Sequence, residues 1–220
     1  MTKDHQDMTR SGNPIPNPEA ASDKAEQVLI GAMQEFLKHG YAATSMDRVA
    51  SAAGVSKATV YSHFQDKEGL FNALIKRLAE KKFAQVYGEQ PLQGEPQFLL
   101  RQLAKKALDE LQTDPEHLAF VRLVIGESGR FPQLAQTFVQ NLAKPGIETM
   151  AHYLAAHPEL NLPDPEAIAR ILVGSVVYFE MLQEMLHGKE ILPMESDRLI
   201  NALEYLLLGR CSPESTKSVI

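Results

Sequence analysis

The stretch from Ser56 to Lys67, SKATVYSHFQDK, concentrates side chains that donate hydrogen bonds. In a helix, Val60 and Phe64 would share one inward face because they lie four residues apart. The outward positions are then small residues or donors, namely Ser56, Lys57, Ala58, Thr59, Tyr61, Ser62 and His63. Small side chains let a helix enter a groove, and these donors suit phosphate oxygens and base edges. The pattern predicts noncovalent recognition of nucleic acid.

Short helices must position this stretch. An apolar stripe at helical spacing predicts the first of them: Val28, Leu29, Ala32, Met33, Phe36 and Leu37. Gly40 lies where its C-terminal cap belongs. Thr44, with Asp47 three residues later, has the pattern of a capping box and predicts a second helix. Gly54 then allows a tight turn, and Ser56 can cap a third helix, which completes a helix-turn-helix.

A longer fourth helix follows the helix-turn-helix. Asp66 is placed to cap its start, and its end is expected near Tyr87. Its apolar stripe contains Leu70, Phe71, Leu74, Ile75 and Leu78. We expect this helix to join the stretch described above to the rest of the chain.

The run from Val28 to Leu74, VLIGAMQEFLKHGYAATSMDRVASAAGVSKATVYSHFQDKEGLFNAL, closely resembles the N-terminal DNA-binding domain of TetR-type transcriptional regulators. Its most specific part is GVSKATVYSHF, with small residues before it and an acid, a lysine and a leucine at fixed distances after it. A second stretch, VIGESGRFPQLAQTF from Val124 to Phe138, is similar to the C-terminal domains of the AefR-like branch. The resemblance implies a double-stranded DNA operator as partner.

The resemblance also implies roles for single residues. Lys57, Ala58 and Thr59 would face base edges, whereas Tyr61, His63 and Lys67 would hold the phosphate backbone. Thr44 or Ser45 would add a contact from the second helix, and Ser56 and Ser62 complete the predicted DNA-binding set. Thr44 and Ser56 are equally explained as helix caps, His63 as a solvated residue and Tyr61 as packing against the first helix. Lys57 has no such alternative.

The chain after Gly88 reads as helix throughout. The sequences GEP, TDPE and PDPE, before Phe98, Leu118 and Ile168, each place a proline near a first helical position. The run Lys144-Pro145-Gly146 predicts a break or kink. The sequence shows no sustained alternation of apolar and polar residues, so it does not predict a sheet. The predicted fold is all-α, with a mobile tail (1–17), a helix-turn-helix domain (18–66), a helical ligand-binding and dimerisation domain (67–209) and a C-terminal tail (210–220).

Two apolar helices near the end of the chain predict a homodimer. The segment IARILVGSVVYFEMLQEML, from Ile168 to Leu186, is apolar around most of its circumference and so must be covered on two sides. The predicted interface residues are Ile171, Gly174, Ser175, Tyr178, Leu182, Leu199, Leu203 and Leu206. A four-helix interface between two subunits would cover them, as the resemblance implies, although burial in a monomer core is an alternative.

Large apolar side chains in the C-terminal part predict a pocket for a small hydrophobic effector. The candidates are Phe98, Phe120, Leu123, Val124, Phe131, Phe138, Met150, Tyr153, Tyr178, Phe179, Met181 and Met185. Glu127 joins them because a carboxylate in an apolar run is costly to bury. It would bind a polar group of the ligand, pair with Arg122 or Arg130, or face solvent.

Other classes of function are disfavoured. In GESGR, Gly126 to Arg130, the second glycine follows the serine directly, so the spacing differs from a nucleophile elbow. His152 and His157 lie five apart and do not share a helical face as a metal pair would, and no cofactor motif occurs. We therefore expect no catalytic, metal or cofactor site, although a helical scaffold that binds only protein stays an alternative.

Charge and composition are consistent with a DNA-binding part and a separate acidic part. The net charge is −6, yet residues 23–87 carry nine basic and seven acidic residues, whereas residues 88–220 carry eleven and eighteen. The single cysteine suits a reducing compartment, and no stretch reaches the roughly 18 apolar residues of a membrane span. We expect a cytoplasmic protein that does not bind membranes.

Overall fold

The structure is a computed structural model that describes residues 18–209, and the predicted tails 1–17 and 210–220 lie outside the described residues. All regular secondary structure in this part is helical, which confirms the all-α prediction. The α-helices, in chain order, are α1 (Pro18–Ala43), α2 (Met46–Ala52), α3 (Lys57–His63), α4 (Lys67–Tyr87), α5 (Pro96–Gln112), α6 (Pro115–Glu127), α7 (Pro132–Phe138), α8 (Lys144–Ala155), α9 (Pro165–Glu180) and α10 (Ser196–Leu208).

The start of α2 differs from the prediction. α1 loses helical geometry at Gly40 (φ 75°), but the residue that caps α2 is Ser45, whose hydroxyl accepts a hydrogen bond from the backbone N–H of Arg48. Thr44 is buried, and its hydroxyl instead donates to the carbonyl oxygens of Glu35 (3.0 Å) and Gly40 (2.8 Å). The capping box predicted at Thr44 is therefore wrong because its hydroxyl serves the end of α1.

The turn between α2 and α3 confirms the predicted helix-turn-helix. Gly54 has a φ of 65°, a conformation that residues with a side chain rarely adopt. Ser56 caps α3 by accepting from the N–H of Thr59 at 3.1 Å. Close packing against α1 holds this unit, because a Cβ at Gly31 would lie only 2.7 Å from the backbone nitrogen of Ala53.

α4 packs the helix-turn-helix onto the rest of the chain. Asp66 caps it as predicted, accepting from the N–H of Gly69 at 2.7 Å. Phe71 of α4 contacts Phe36 of α1 edge-on, with ring centroids 5.0 Å apart, and stacks against Phe120 of α6 at 5.2 Å. One apolar core therefore joins α1 to α4 with α6 and α7. The proposed domain boundary at residue 66 lies within this core.

Proline positions confirm three predicted helix starts. Pro96, Pro115 and Pro165 stand in the first turns of α5, α6 and α9. Lys144-Pro145-Gly146, in contrast, does not break the helix, because the backbone keeps helical dihedrals at Lys144. A kink at this position stays a prediction. A wide π-helical turn, Val139–Ala143, joins α7 to α8, and the N–H of Lys144 donates to the carbonyl of Val139. This turn accommodates the missing proline N–H without a break.

The C-terminal helices form two further apolar clusters. One lies between α5, α8 and α9 around Leu103, Leu154 and Ala169. The other lies between α5, α9 and α10 around Leu108 and Ile200. α9 continues into a π-helical turn, Met181–Met185, before α10. Between these clusters and α4 the helices enclose a cavity.

Candidate nucleic-acid interface and ligand cavity

The outer surface of α3 carries most of the residues predicted to bind DNA. Val60 is buried, so α3 has the inward face that the spacing predicted. The exposed residues of this surface are Ser45, Ser56, Lys57, Ala58, Tyr61 and Ser62, while Thr59, His63 and Lys67 are half-buried and Thr44 is buried. Nine of the ten predicted residues thus keep some solvent-accessible surface, and Thr44 does not.

Internal hydrogen bonds occupy part of this surface. The hydroxyls of Ser56 and Thr59 lie 2.8 Å apart, and the hydroxyl of Ser62 donates to the Thr59 carbonyl at 2.8 Å. Each hydroxyl retains a lone pair, and Ser56 serves as the cap of α3. Capping accounts for Ser56, so a DNA contact from its hydroxyl stays a prediction.

Lys57 has a partner that the sequence did not indicate. Its ammonium lies 2.5 Å from the carboxylate of Asp47 on α2. The Lys57 side chain is 64% exposed and that of Asp47 is 54% exposed, so water screens the pair strongly. Such a weak pair costs little to break, so it does not exclude the base contact predicted for Lys57.

Lys67 fastens the start of α4 to the end of α1. Its ammonium donates to the carbonyl oxygens of Tyr41 (2.8 Å) and Ala42 (3.1 Å) and lies 4.6 Å from the centre of the Tyr41 ring. Desolvation lowers the pKa of Lys67, and the Glu127 carboxylate partly opposes that effect. Two of its three N–H groups are therefore used in the fold, which leaves one for a phosphate.

The cavity is lined by residues of all seven helices from α4 to α10 and has a volume of about 350 Å³. Its wall is mostly small and medium apolar side chains, such as Ala104, Ala107, Val121, Leu172, Val176 and Leu203. Its volume is within the range of pockets that hold small molecules. The C-terminal half of α4, including Phe83, Val86 and Tyr87, forms one side.

Three of the predicted ligand contacts, Phe138, Met150 and Met185, line this cavity. The other predicted contacts lie outside its lining, and Phe179 belongs to the cluster around Ile200. Phe120 and Val124 are buried in the core of the N-terminal helices, Leu123 and Phe131 pack against it, and Tyr153 belongs to the cluster around Leu154. Phe98 and Tyr178 are exposed, and Met181 is half-buried. Glu127 instead lies 3.6 Å from Arg130, one of the alternatives considered for it.

A buried lysine stands at the α4 side of the cavity. Lys82 is 5% exposed, and its ammonium lies 3.0 Å from Asp114 and 3.7 Å from Glu110. Asp114 also accepts from the N–H of His117 at 2.9 Å and so caps α6. Burial, reinforced by Lys82, lowers the pKa of His117 to about 4, so its imidazole is neutral at pH 7.

Glu180 is the second buried charged residue of the lining. It is 2% exposed, and one carboxylate oxygen accepts a hydrogen bond from the Gln112 amide at 3.0 Å. Burial raises its pKa. Sequence reasoning missed Lys82, His117 and Glu180. A signal was present for Glu180, because it is the only charged residue between Arg170 and Glu184.

The predicted dimer residues divide between two sides of α9 and α10. Ile171 and Tyr178 are each 57% exposed, and Leu206 is 75% exposed. Gly174 is exposed as well, while Ser175, Leu182, Leu199 and Leu203 are half-buried. Leu203 faces the cavity. Three large apolar side chains, Ile171 and Tyr178 of α9 and Leu206 of α10, are thus uncovered in one subunit and are hereafter called the outer α9/α10 face.

In the part of the chain that the structure describes, no helix is both long and apolar enough to cross a membrane. No group of three or more His, Cys, Asp or Glu residues within 18–209 is arranged to hold a metal ion.

Family models match both parts of the chain. A model of bacterial regulatory proteins of the tetR family matches residues 28–74, which contain α2, α3 and most of the core around Phe71. A model of the C-terminal domain of AefR-like transcriptional repressors matches residues 99–203, which contain most of the cavity lining. The chain belongs to the TetR family of transcriptional regulators. Family membership places this TetR-family chain among regulators and not among enzymes.

Individual relatives agree with this placement. The transcriptional activator FasR of Mycolicibacterium smegmatis is 41% identical over 68 residues, which are 31% of this chain and 29% of FasR. The transcriptional repressor ComR of Escherichia coli is 41% identical over 69 residues, 30% of this chain and 33% of ComR. The chain thus spans about a third of the length of these two curated relatives. The solved structure of the flavonoid-responsive regulator FrrA matches with a TM-score of 0.72 and 30% identity over 88% of this chain and 100% of FrrA.

Proposed function

We propose that this TetR-family chain is a ligand-responsive repressor that binds a pseudo-palindromic operator as a homodimer through α3. A small hydrophobic effector in the cavity releases it from DNA. The observation that carries the proposal is that one helix, α4, contacts both the helix-turn-helix core and the cavity.

α4 supports mechanical coupling between the two sites. Its 21 residues span about 30 Å. Leu70 and Phe71, near its start, are fully buried in the core that holds α1 and α2, and Lys67 is bonded to the end of α1. Phe83 and Tyr87, near its end, line the cavity. A ligand that alters the tilt of α4 therefore moves the helix-turn-helix with it.

The uncovered apolar face supports the dimer. Exposed Ile171, Tyr178 and Leu206 on α9 and α10 are typical of an interface surface, because monomers rarely expose contiguous large apolar patches. An isologous dimer through this face pairs the same surface on both subunits and presents two copies of α3. Two-fold symmetry then requires half-sites about one helical turn, or a multiple of it, apart.

Release from DNA requires an effector that prefers the released conformation. A typical coupling of about 1–3 kcal/mol weakens operator binding by roughly 5- to 150-fold. The match of residues 99–203 to AefR-like repressors favours repression. The N-terminal part does not distinguish the two roles, because it is 41% identical both to the activator FasR and to the repressor ComR. The structure of FrrA matches 88% of this chain, and FrrA is a flavonoid-responsive regulator. Flavonoids are therefore suitable first compounds to test as effectors.

The test measures operator affinity with and without an added compound, in wild-type protein and in a variant whose cavity is blocked. An operator selected from random DNA is titrated with the protein by fluorescence anisotropy, with and without a flavonoid such as naringenin and other apolar compounds. Ala107→Trp places a bulky ring in the cavity wall on α5. A compound that releases wild-type protein should no longer release this variant. Equal release of both proteins contradicts the assignment of the cavity.

A further inference from the structure

Glu180 is a buried acid that forms no salt bridge with a basic residue in the described part of the chain. One carboxylate oxygen is buried and has no hydrogen-bond partner among residues 18–209. The other accepts from the Gln112 amide, which is uncharged. A buried carboxylate in this condition is costly unless it binds a proton or meets a cation.

The two cations of the cavity lining are already paired. Lys82 contacts Asp114 and Glu110, and Arg101 lies 2.8 Å from Glu204. The lining therefore holds two basic residues, Lys82 and Arg101, against three acids, Glu110, Glu180 and Glu204, while His117 is neutral. Glu180 is therefore the one acid of the lining that has no basic partner in the lining.

The apolar wall continues along the same face of α9. Leu172 and Val176 precede Glu180 by two turns and one turn, and all three line the cavity. A ligand that places an apolar body against these side chains can bring a polar end to Glu180. His117 offers a second acceptor, because its buried Nδ1 has no partner within the described chain.

We infer that the cavity selects apolar molecules that carry a protonated amine, with the Glu180 carboxylate as counter-ion. This inference rests on the proposed function, since it specifies the class of effector. An ammonium supplies both the missing charge and the missing N–H donor, whereas a neutral hydroxyl supplies the donor alone.

The raised pKa of Glu180 agrees with this assignment. Burial is the main cause, the Glu184 carboxylate adds to it, and Gln112 and Lys189 oppose it. The empty site is thus one in which the charged form lacks stabilisation. A ligand cation would stabilise the charged form of Glu180.

The test compares matched biphenyl probes that differ in one group. 4-Phenylbenzylamine is protonated at pH 7, and 4-biphenylmethanol is its neutral counterpart. Each probe is titrated against protein that carries Nile red, a neutral dye, in the cavity, and displacement of the dye is measured. Ala107→Trp identifies the dye signal that belongs to the cavity. In wild type we expect the amine to displace the dye at roughly tenfold lower concentration than the alcohol, because a hydrogen bond between charged groups adds about that much.

Two variants test whether Glu180 causes the preference for the amine over the alcohol. Glu180→Gln keeps the shape and the contact with Gln112 but removes the charge, so the amine should lose its advantage to within about twofold. Glu184→Gln, one turn further and outside the lining, should retain it. Equal displacement by both probes in wild type, or an unchanged amine preference in Glu180→Gln, overturns the inference while leaving the cavity as an effector site. Failure of the dye and both probes to enter the cavity contradicts the proposed function as well.

Discussion

The ammonium of Lys82 lies 3.0 Å from the carboxylate of Asp114, and this buried contact joins α4 to the first turn of α6 beside the cavity. Asp114 has two tasks, because it also caps α6 through the N–H of His117. Both helices that Asp114 connects contribute to the cavity wall. The contact therefore fixes the position of α4 where an effector would act on it.

Asp114→Ala should destabilise the protein by roughly 2–3 kcal/mol, since it removes a helix cap and the nearer of the two acids that pair with the buried Lys82. Asp164→Ala is the matched control, because Asp164 caps α9 in the same sequence setting, before a proline, but is exposed. Its loss should cost about 1 kcal/mol. Urea unfolding of both variants measures the difference. Equal losses contradict a structural role for the Lys82 contact.

His117 should make the stability depend on pH. Its pKa is about 4 in the folded chain, against an ordinary value of 6.5, so between these values the unfolded chain binds a proton that the folded chain does not. Stability is therefore fully present above pH 6.5 and is lost as the pH falls toward 4. The loss between pH 7 and pH 5 is roughly 2 kcal/mol.

The variant His117→Gln isolates this contribution. Glu180, whose raised pKa acts in the opposite direction, is present in both proteins and cancels in the comparison. We expect a flatter dependence of the melting temperature on pH in the variant between pH 7 and pH 5. Parallel profiles would show that His117 is not buried in its neutral form.

Asp47→Asn should strengthen operator binding. The substitution frees Lys57 from its exposed pair and removes a negative charge next to α3. The expected gain is roughly two- to fivefold, because surface pairs are weak. Glu80→Gln on α4, an exposed acid paired with Lys76 at 3.9 Å, is the control and should leave affinity unchanged. Weaker binding by Asp47→Asn would mean that the pair positions Lys57 for DNA.

Tyr178→Asp should convert the dimer to monomers at micromolar concentration, because it places a charge in the centre of the outer α9/α10 face. Ile30→Asp is the control, since Ile30 is also an exposed large apolar residue but lies on α1. Sedimentation velocity measures both. A dimer that survives Tyr178→Asp, with helical content unchanged, would exclude this face as the interface.

Local capping chemistry made much of the fold predictable. Ser56, Asp66, Asp114 and Asp164 each accept from the N–H three residues later. Prolines mark the starts that follow Asp114 and Asp164. Thr44 was misjudged because adjacent Ser45 could cap equally well, and only the approach of α1 decides between them. The break at Lys144-Pro145-Gly146 was misjudged because a π-helical turn accommodates the proline.

The cavity could not be predicted in the same way. Large aromatic side chains were chosen as its lining, yet Phe120 and Tyr153 fill volume in packed clusters. A cavity is space that side chains leave empty, so small residues such as Ala104 and Ala107 mark it instead. Its lining comes from seven helices, α4 to α10, and is spread over residues 82–208. Only Glu180, an acid within an apolar helix, marked the site locally.

The most direct test is selection of bound fragments from a random DNA pool by immobilised wild-type protein, repeated with Lys57→Ala across a salt series. Wild type should enrich one palindrome, and the variant should bind it about 1–3 kcal/mol more weakly without a large change in melting temperature. Lys76→Ala, which removes an exposed lysine from α4, should bind as wild type does. No enriched palindrome from a folded wild-type dimer, or equal affinity of Lys57→Ala, would contradict the assignment of α3 as the DNA-reading helix.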